Sequence, residues 1–189
     1  MDIYLIRHTK TATEQGLCYG RSNVALSSTF IQDAKQIQAR LPALGTNYKV
    51  YSSPLSRCLQ LAELFSQSVI TDARLLELDF GDWENRSFDA INPDELSHWT
   101  QHFVEVGPPN GESFASLCER AGNFWQELLL TPSEQVIIIT HAGVIRALLA
   151  HILKLPLGNA FQFRIDSGSI HKFQYRDNYT LIHFLNQSS

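Results

Sequence analysis

The run Val136-Ile137-Ile138-Ile139 is the strongest strand signal in the chain, and the residues just after it constrain how the strand is used. A continuous apolar run suits a strand covered on both faces of a parallel sheet, whereas a strand with one wet face would alternate. It ends at Thr140-His141, and Gly143 then opens a helix carrying Ile145, Leu148, Leu149 and Ile152 at helical spacing. The start of the chain repeats the arrangement. Ile3-Tyr4-Leu5-Ile6 ends at Arg7-His8, a loop runs through Gly16 and Gly20, and Ser27 or Ser28 is placed to cap a helix with Phe30, Ile31, Ala34, Ile37 and Leu41 on its apolar stripe. Val50-Tyr51-Ser52 reads as another strand. After it, Ser53-Pro54 predicts an N-cap and a first helical residue, with Leu55, Leu59, Ala62 and Phe65 turned inward.

From Leu75 to Pro109 the pattern loosens into short aromatic-rich pieces, and a cap-like insertion is expected over about residues 78–112, with Trp83, Phe88, Trp99 and Phe103 covering one end of the sheet. A helix is expected from Ser113, with Leu117, Ala121, Phe124 and Leu128 on one face. Ile170 to Tyr175 and Tyr179 to Leu185 alternate as a hairpin joined through Asp177-Asn178. Strands alternating with helices predict one domain over residues 1–189: an α/β fold, a three-layer α/β/α sandwich with a mostly parallel central sheet and right-handed crossovers. Such sheets bind ligands at the carboxyl ends of their strands, where His8 and His141 both sit.

Composition narrows the function classes. A chain of 189 residues with 44% apolar content can bury a real core. A formal net charge of −4 without a basic stripe argues against nucleic acid as a partner. The longest apolar stretches are interrupted by His141 and Arg146, well short of the roughly 20 residues that cross a bilayer, so no membrane partner is expected. The short apolar start reads as a strand rather than a secretory leader. Cys18, Cys58 and Cys118 are odd in number and widely spaced, which fits neither a disulfide framework nor a cysteine zinc site and points to a reducing cytoplasm. His98 and His102 have the spacing of a helical zinc pair, but no third ligand accompanies them, so neither metal nor cofactor is expected. His151, His171 and His183 read as packed or solvated, and Trp83, Trp99 and Trp125 as packing residues before stacking platforms.

Arg7-His8 sets a fixed cation beside an imidazole that is neutral and nucleophilic near neutral pH. Arg57, four residues after Ser53, falls in the first turn of the predicted helix, where free N–H groups favour an anion. Thr140-His141-Ala142-Gly143 repeats that geometry with a glycine allowing close backbone approach. Charge on the oxygens of a transferring phosphoryl group must be met by fixed donors, and two arginines with one or two imidazoles supply them without magnesium. The leaving alkoxide needs an acid. Glu77, in Leu75-Leu76-Glu77-Leu78-Asp79-Phe80-Gly81-Asp82-Trp83-Glu84, has apolar neighbours that favour a neutral carboxyl, with Asp79, Asp82 and Glu84 as competitors. The residues alone leave His8 and His141 interchangeable as nucleophile.

Arg7-His8-Thr9, Ser53-Pro54-x-x-Arg57, Glu77 and His141-Ala142-Gly143, in this order over essentially the whole chain, resemble the histidine phosphatase superfamily, also called phosphoglycerate mutase-like. Gly16-x-Cys18-Tyr19-Gly20-Arg21, the segment Glu77 to Glu84 and Gly111-Glu112-Ser113 resemble its α-ribazole phosphatase group, which dephosphorylates α-ribazole 5'-phosphate during assembly of cobalamin's lower ligand. The resemblance implies that His8 is phosphorylated, that Arg7, Arg57 and His141 form the phosphate pocket, that Glu77 donates the proton, and that no metal is needed. It also implies that Glu112, Ser113, Ala142 and the region before Pro109 shape the leaving-group side. Where the commonest superfamily pattern has asparagine seven residues after the arginine, this chain has Glu14, a carboxylate that repels phosphate; Arg21, beside Gly20, is the substitute donor expected. The expected partner is a small-molecule phosphate ester, with a homodimer left open. Competing readings are a phosphoglycerate mutase, a broad-specificity sugar-phosphate phosphatase, and an inactive protein that only binds phosphorylated ligands.

Overall fold

The computed structural model describes residues 1–188. Six strands form one sheet in the order β3-β2-β4-β1-β5-β6: β1 Asp2–Arg7, β2 Tyr48–Ser52, β3 Val69–Thr71, β4 Gln135–Thr140, β5 Ile170–Arg176 and β6 Tyr179–Gln187. β1, β2, β3 and β4 run parallel, while β5 lies antiparallel between β1 and β6. Residues of β1 and β4 that alternate along the strand enter opposite cores, because successive side chains leave opposite faces of the sheet. Ile3, Leu5, Val136 and Ile138 pack under helices α4 (Phe114–Leu129) and α5 (Ala142–Leu153). Tyr4, Ile6, Ile137 and Ile139 pack under α1 (Phe30–Arg40) and α2 (Ser56–Ala62). Two buried faces on the same strands explain why both read as continuous apolar runs, and the expected three-layer sandwich is what forms.

The local expectations differ from the structure in informative places. Helix α1 begins at Phe30 with Thr29 at its N-cap and no side-chain cap bond, not under Ser27 or Ser28. Its buried stripe is Ala34 and Ile37, while Ile31 is 56% exposed, since it sits about 100° around the helix from Phe30. Helix α2 starts at Ser56, so Ser53 and Pro54 lie outside it. Leu55 remains extended, and the Ser53 hydroxyl is engaged with His141 instead of a helix end. Strand β3, at three residues, is too short for periodicity to register in the sequence. Ser113 does cap α4, accepting from the Ser116 N–H at 3.2 Å. Asp177 and Asn178 both take positive φ, as a two-residue hairpin turn demands.

The segment between β3 and α4 holds short 3-10 turns and one helix, α3 (Pro93–His102), capped by Asn92 and begun by Pro93. Trp83 is buried with Cys18 and Ile91, and Phe80, Phe88 and Trp99 pack on that group. Trp125 belongs to the main core against Phe173, and all three cysteines are buried and free. No helix among the described residues is long and apolar enough to cross a membrane.

Candidate active site

In the sheet β4 lies between β2 and β1, so three carboxyl ends are neighbours. Arg7 pairs with Thr140 in register, and Ser52 with Ile139. The residues just beyond are tied across the gap: His8 N–H donates to the Thr140 carbonyl at 3.0 Å, and Ser53 N–H to that of Ile139 at 3.0 Å. This register brings His8, His141 and the turn leading to Arg57 together from positions far apart in the chain. The His8 and His141 ring centroids are 5.2 Å apart.

The two imidazoles are not equivalent. His8 Nδ1 lies 2.7 Å from the Thr9 carbonyl, which can only accept, so Nδ1 carries the proton and Nε2 keeps its lone pair without a protein partner among the described residues. His141 has both nitrogens engaged. Arg57 Nε donates to its Nδ1 at 3.3 Å, so the proton sits on Nε2, 2.8 Å from Ser53 Oγ. Burial, then the guanidinium groups of Arg57 and Arg7, push the His8 imidazole down to about 3. Burial first, then His8 and the same arginines, lowers His141 well below the usual histidine range. Both rings are therefore neutral at neutral pH.

Arg57 is 1% exposed, and its fork is held by backbone: Nη1 donates to the Ser22 carbonyl at 2.8 Å and Nη2 to that of Gly20 at 2.5 Å. Those peptides are in turn oriented by Glu84, whose carboxylate accepts from the N–H groups of Gly20, Arg21 and Ser22 and from the Ser22 hydroxyl. The loop presents its N–H groups to an anion and its carbonyls to a cation. Glu84, in sequence only a rival acid, is thus a clamp that fixes Arg57. Arg7 donates from Nη1 to the Ile165 carbonyl at 2.7 Å, and its Nε and the Thr9 hydroxyl are buried polar atoms with no protein partner among the described residues. Buried donors of this kind are costly unless something accepts from them.

Glu77 stands beside this group rather than within it. Its Oε1 accepts from the Leu78 N–H at 3.1 Å and its Oε2 from Gly143 N–H at 3.2 Å, so polar groups as well as apolar ones surround the carboxyl. A side chain at Gly143 would meet that carboxylate and push it from its present position. Arg120, which no sequence pattern marks, donates to the Glu77 carbonyl at 3.1 Å and is itself held by Glu112 at 2.6 and 2.8 Å. On its far side Glu77 faces a pocket of about 210 Å³ walled by Phe80, Trp99, Phe103, Phe114 and Phe161, with Tyr19, Ala142 and Arg146 also lining it.

Several predicted contacts lie elsewhere. Glu112 and Ser113 do not line the pocket: Glu112 is paired with Arg120 and Ser113 with its helix end. The Arg21 guanidinium is bonded to Asp79 at 3.1 Å and lies 3.5 Å from Glu112, so nearby carboxylates occupy the substitute donor. The Gly20 peptide serves Arg57 and Glu84. Glu14 is exposed on its loop, and His98 and His102 lie on the exposed side of α3.

Comparison with known proteins agrees with the resemblance. The model of the histidine phosphatase superfamily (branch 1) matches residues 3–188. The chain is 29% identical to a probable phosphoglycerate mutase of Proteus mirabilis, covering 94% of this chain and 86% of that protein. It is 27% identical to the adenosylcobalamin/alpha-ribazole phosphatase of Escherichia coli, covering 98% and 96%. The crystal structure of the alpha-ribazole phosphatase from Shigella flexneri superposes with a TM-score of 0.90 at 27% identity, over 100% of this chain and 98% of that one.

Proposed function

Since the chain belongs to the histidine phosphatase superfamily, we propose that it is a phosphomonoesterase working through a phosphohistidine at His8, with α-ribazole 5'-phosphate as substrate. The observation that carries this reading is the asymmetry of the two histidines: among the described residues His8 keeps a lone pair free of protein contacts, 5.2 Å between ring centroids from His141, whereas both nitrogens of His141 are engaged. His8 Nε2 attacks phosphorus while Arg7, Arg57, His141 and the α5 N-terminus meet the charge on the equatorial oxygens. The P–N bond forms as the P–O bond to the alcohol breaks, and Glu77 gives its proton to the departing oxygen. In the second transfer Glu77 takes a proton from water, whose oxygen attacks phosphorus, breaks the P–N bond and releases inorganic phosphate.

The substrate assignment draws support from the wall of the pocket and from relatives that carry the alpha-ribazole phosphatase name. A planar aromatic base suits faces and edges of rings. A mutase is the second reading, since other relatives are named probable phosphoglycerate mutases. That reaction must retain a small, strongly anionic glycerate while the phosphoryl group returns, and among the described residues the pocket offers Arg146 as its one cation. A panel of α-ribazole 5'-phosphate, 3-phosphoglycerate and simple sugar phosphates separates the readings. The ribazole ester is expected to give the highest kcat/KM, by about tenfold or more. Isomerisation of 3-phosphoglycerate faster than hydrolysis of any ester would make the mutase the right assignment.

A further inference from the structure

Helix α5 contributes more to the pocket than its N-terminus. Ala142, Gly143 and Arg146 fall on one face, because residues three and four apart are neighbours on a helix, and all three line the pocket beside Glu77. Arg146 Nε donates to the Phe163 carbonyl at 3.1 Å, which fixes the plane of the guanidinium. Its Cζ sits 5.1 Å from the centre of the Phe161 ring, another wall residue. Arg146 makes no ion pair, and neither Nη has a hydrogen-bond partner, among the described residues. Arg57 and Arg120, by contrast, have their forks occupied. A half-buried guanidinium held by its Nε, flanked by aromatic rings and left with its outer donors unmatched, is placed to receive oxygen atoms of a ligand in that pocket.

We infer that Arg146 is a specificity-determining residue that donates from its two Nη groups to a pair of neutral hydroxyls on the leaving alcohol, a vicinal sugar diol carried between the phosphoester and an aromatic base. The diol is favoured over a carboxylate because the rest of the lining is mostly apolar and aromatic, and a carboxylate loses more solvation on entering such a pocket than a pair of neutral hydroxyls does. This rests on the phosphatase reading and deepens it: the strand ends hold the phosphoryl group, the rings hold the base, and Arg146 reads the sugar between them.

The test compares three esters in R146M and R146K: α-ribazole 5'-phosphate, phenyl phosphate, which keeps a ring but no sugar, and 3-phosphoglycerate, which carries a carboxylate. R146M is expected to lower kcat/KM for the ribosyl ester by roughly 30-fold, the size of a lost hydrogen bond to a charged group, and to leave phenyl phosphate within about threefold. R146K, which keeps a charged donor, is expected to recover part of the loss. Equal losses on the ribosyl ester and phenyl phosphate would overturn the assignment, as would a loss confined to 3-phosphoglycerate, which would make Arg146 a carboxylate receptor. If the wild type hydrolyses none of the three, the phosphatase reading fails on its own, and calorimetric binding of α-ribazole still reads Arg146. Binding about tenfold weaker in R146M would then support the diol contact, and equal binding would overturn it.

Discussion

His8 and His141, just past strand ends, and Arg57, in the first turn of α2, are at most 3% exposed, and each is oriented by hydrogen bonds to backbone or to another buried side chain. In the pocket that Glu77 lines, the wall is made of rings set mostly edge to face. Phe103 and Phe161 are 4.7 Å apart and Phe80 and Trp99 are 6.0 Å apart, with Phe161 itself 48% exposed. The first group forms the floor of the site, and it comes from the ends of parallel strands whose register is fixed by the core and from the first turn of α2. The wall comes from short turns, α3, the start of α4 and the segment after α5. Groups oriented by directional bonds to backbone can place a lone pair and several cations around one phosphorus. Rings held by packing define a shape that can be altered without disturbing that placement. The comparison predicts that damage to the floor removes the reaction while damage to the wall changes which ester is taken.

The largest effect expected is that of His8→Ala, which removes the proposed nucleophile. Its kcat should fall by about 10⁴-fold or more on every ester in the panel, read with inorganic phosphate release, while the aromatic product still binds. A drop confined to aromatic esters would break the division between floor and wall. Acid offers a smaller and purely thermodynamic test. His8 is pushed down to about 3 and His171 to about 4, both by burial first, and His141 is lowered as well. Each group's folded-state affinity for a proton lies below its unfolded value, so below about pH 6.5 the unfolded chain takes up protons that the folded one refuses. Stability therefore rises with pH across this window and is lost as pH falls, by on the order of 2 kcal/mol per buried imidazole between pH 6.5 and about 5. Denaturant midpoints measured across that range check it, and the slope should lessen in His171→Asn. The smallest effect belongs to the wall. Trp99→Leu should lower kcat/KM for the ribazole ester by about threefold to tenfold and leave a small alkyl phosphate nearly unchanged. Equal losses on both would show that the ring supports the floor as well.

Much of the sandwich was legible from the chain, because β1 and β4 bury both faces and so carry unbroken apolar runs that periodicity detects. The positions of Arg7, His8 and His141 at strand ends were legible for the same reason, and that of Arg57 in the first turn of a helix from the apolar spacing that follows it. Helix starts were less so: the Ser53 hydroxyl looked like a cap, and only the packed structure shows it taken by His141. Glu84 and Arg120 illustrate a further limit. Their roles lie in holding a distant peptide, the first bonding the loop at 20–22 and the second the Glu77 carbonyl, and no local pattern marks a contact of such sequence separation.

The sequence by itself determined the residue types that can hold a phosphoryl group, their order, and the strands that carry them, since these come from side-chain chemistry and local periodicity. Which imidazole keeps a free lone pair was decided only by tertiary structure. The choice depends on Thr9 turning its carbonyl toward His8, while Arg57 and Ser53, both distant in the chain, close on the two sides of His141. Proton position in a histidine is set by what its other nitrogen meets, and that is a property of the folded chain.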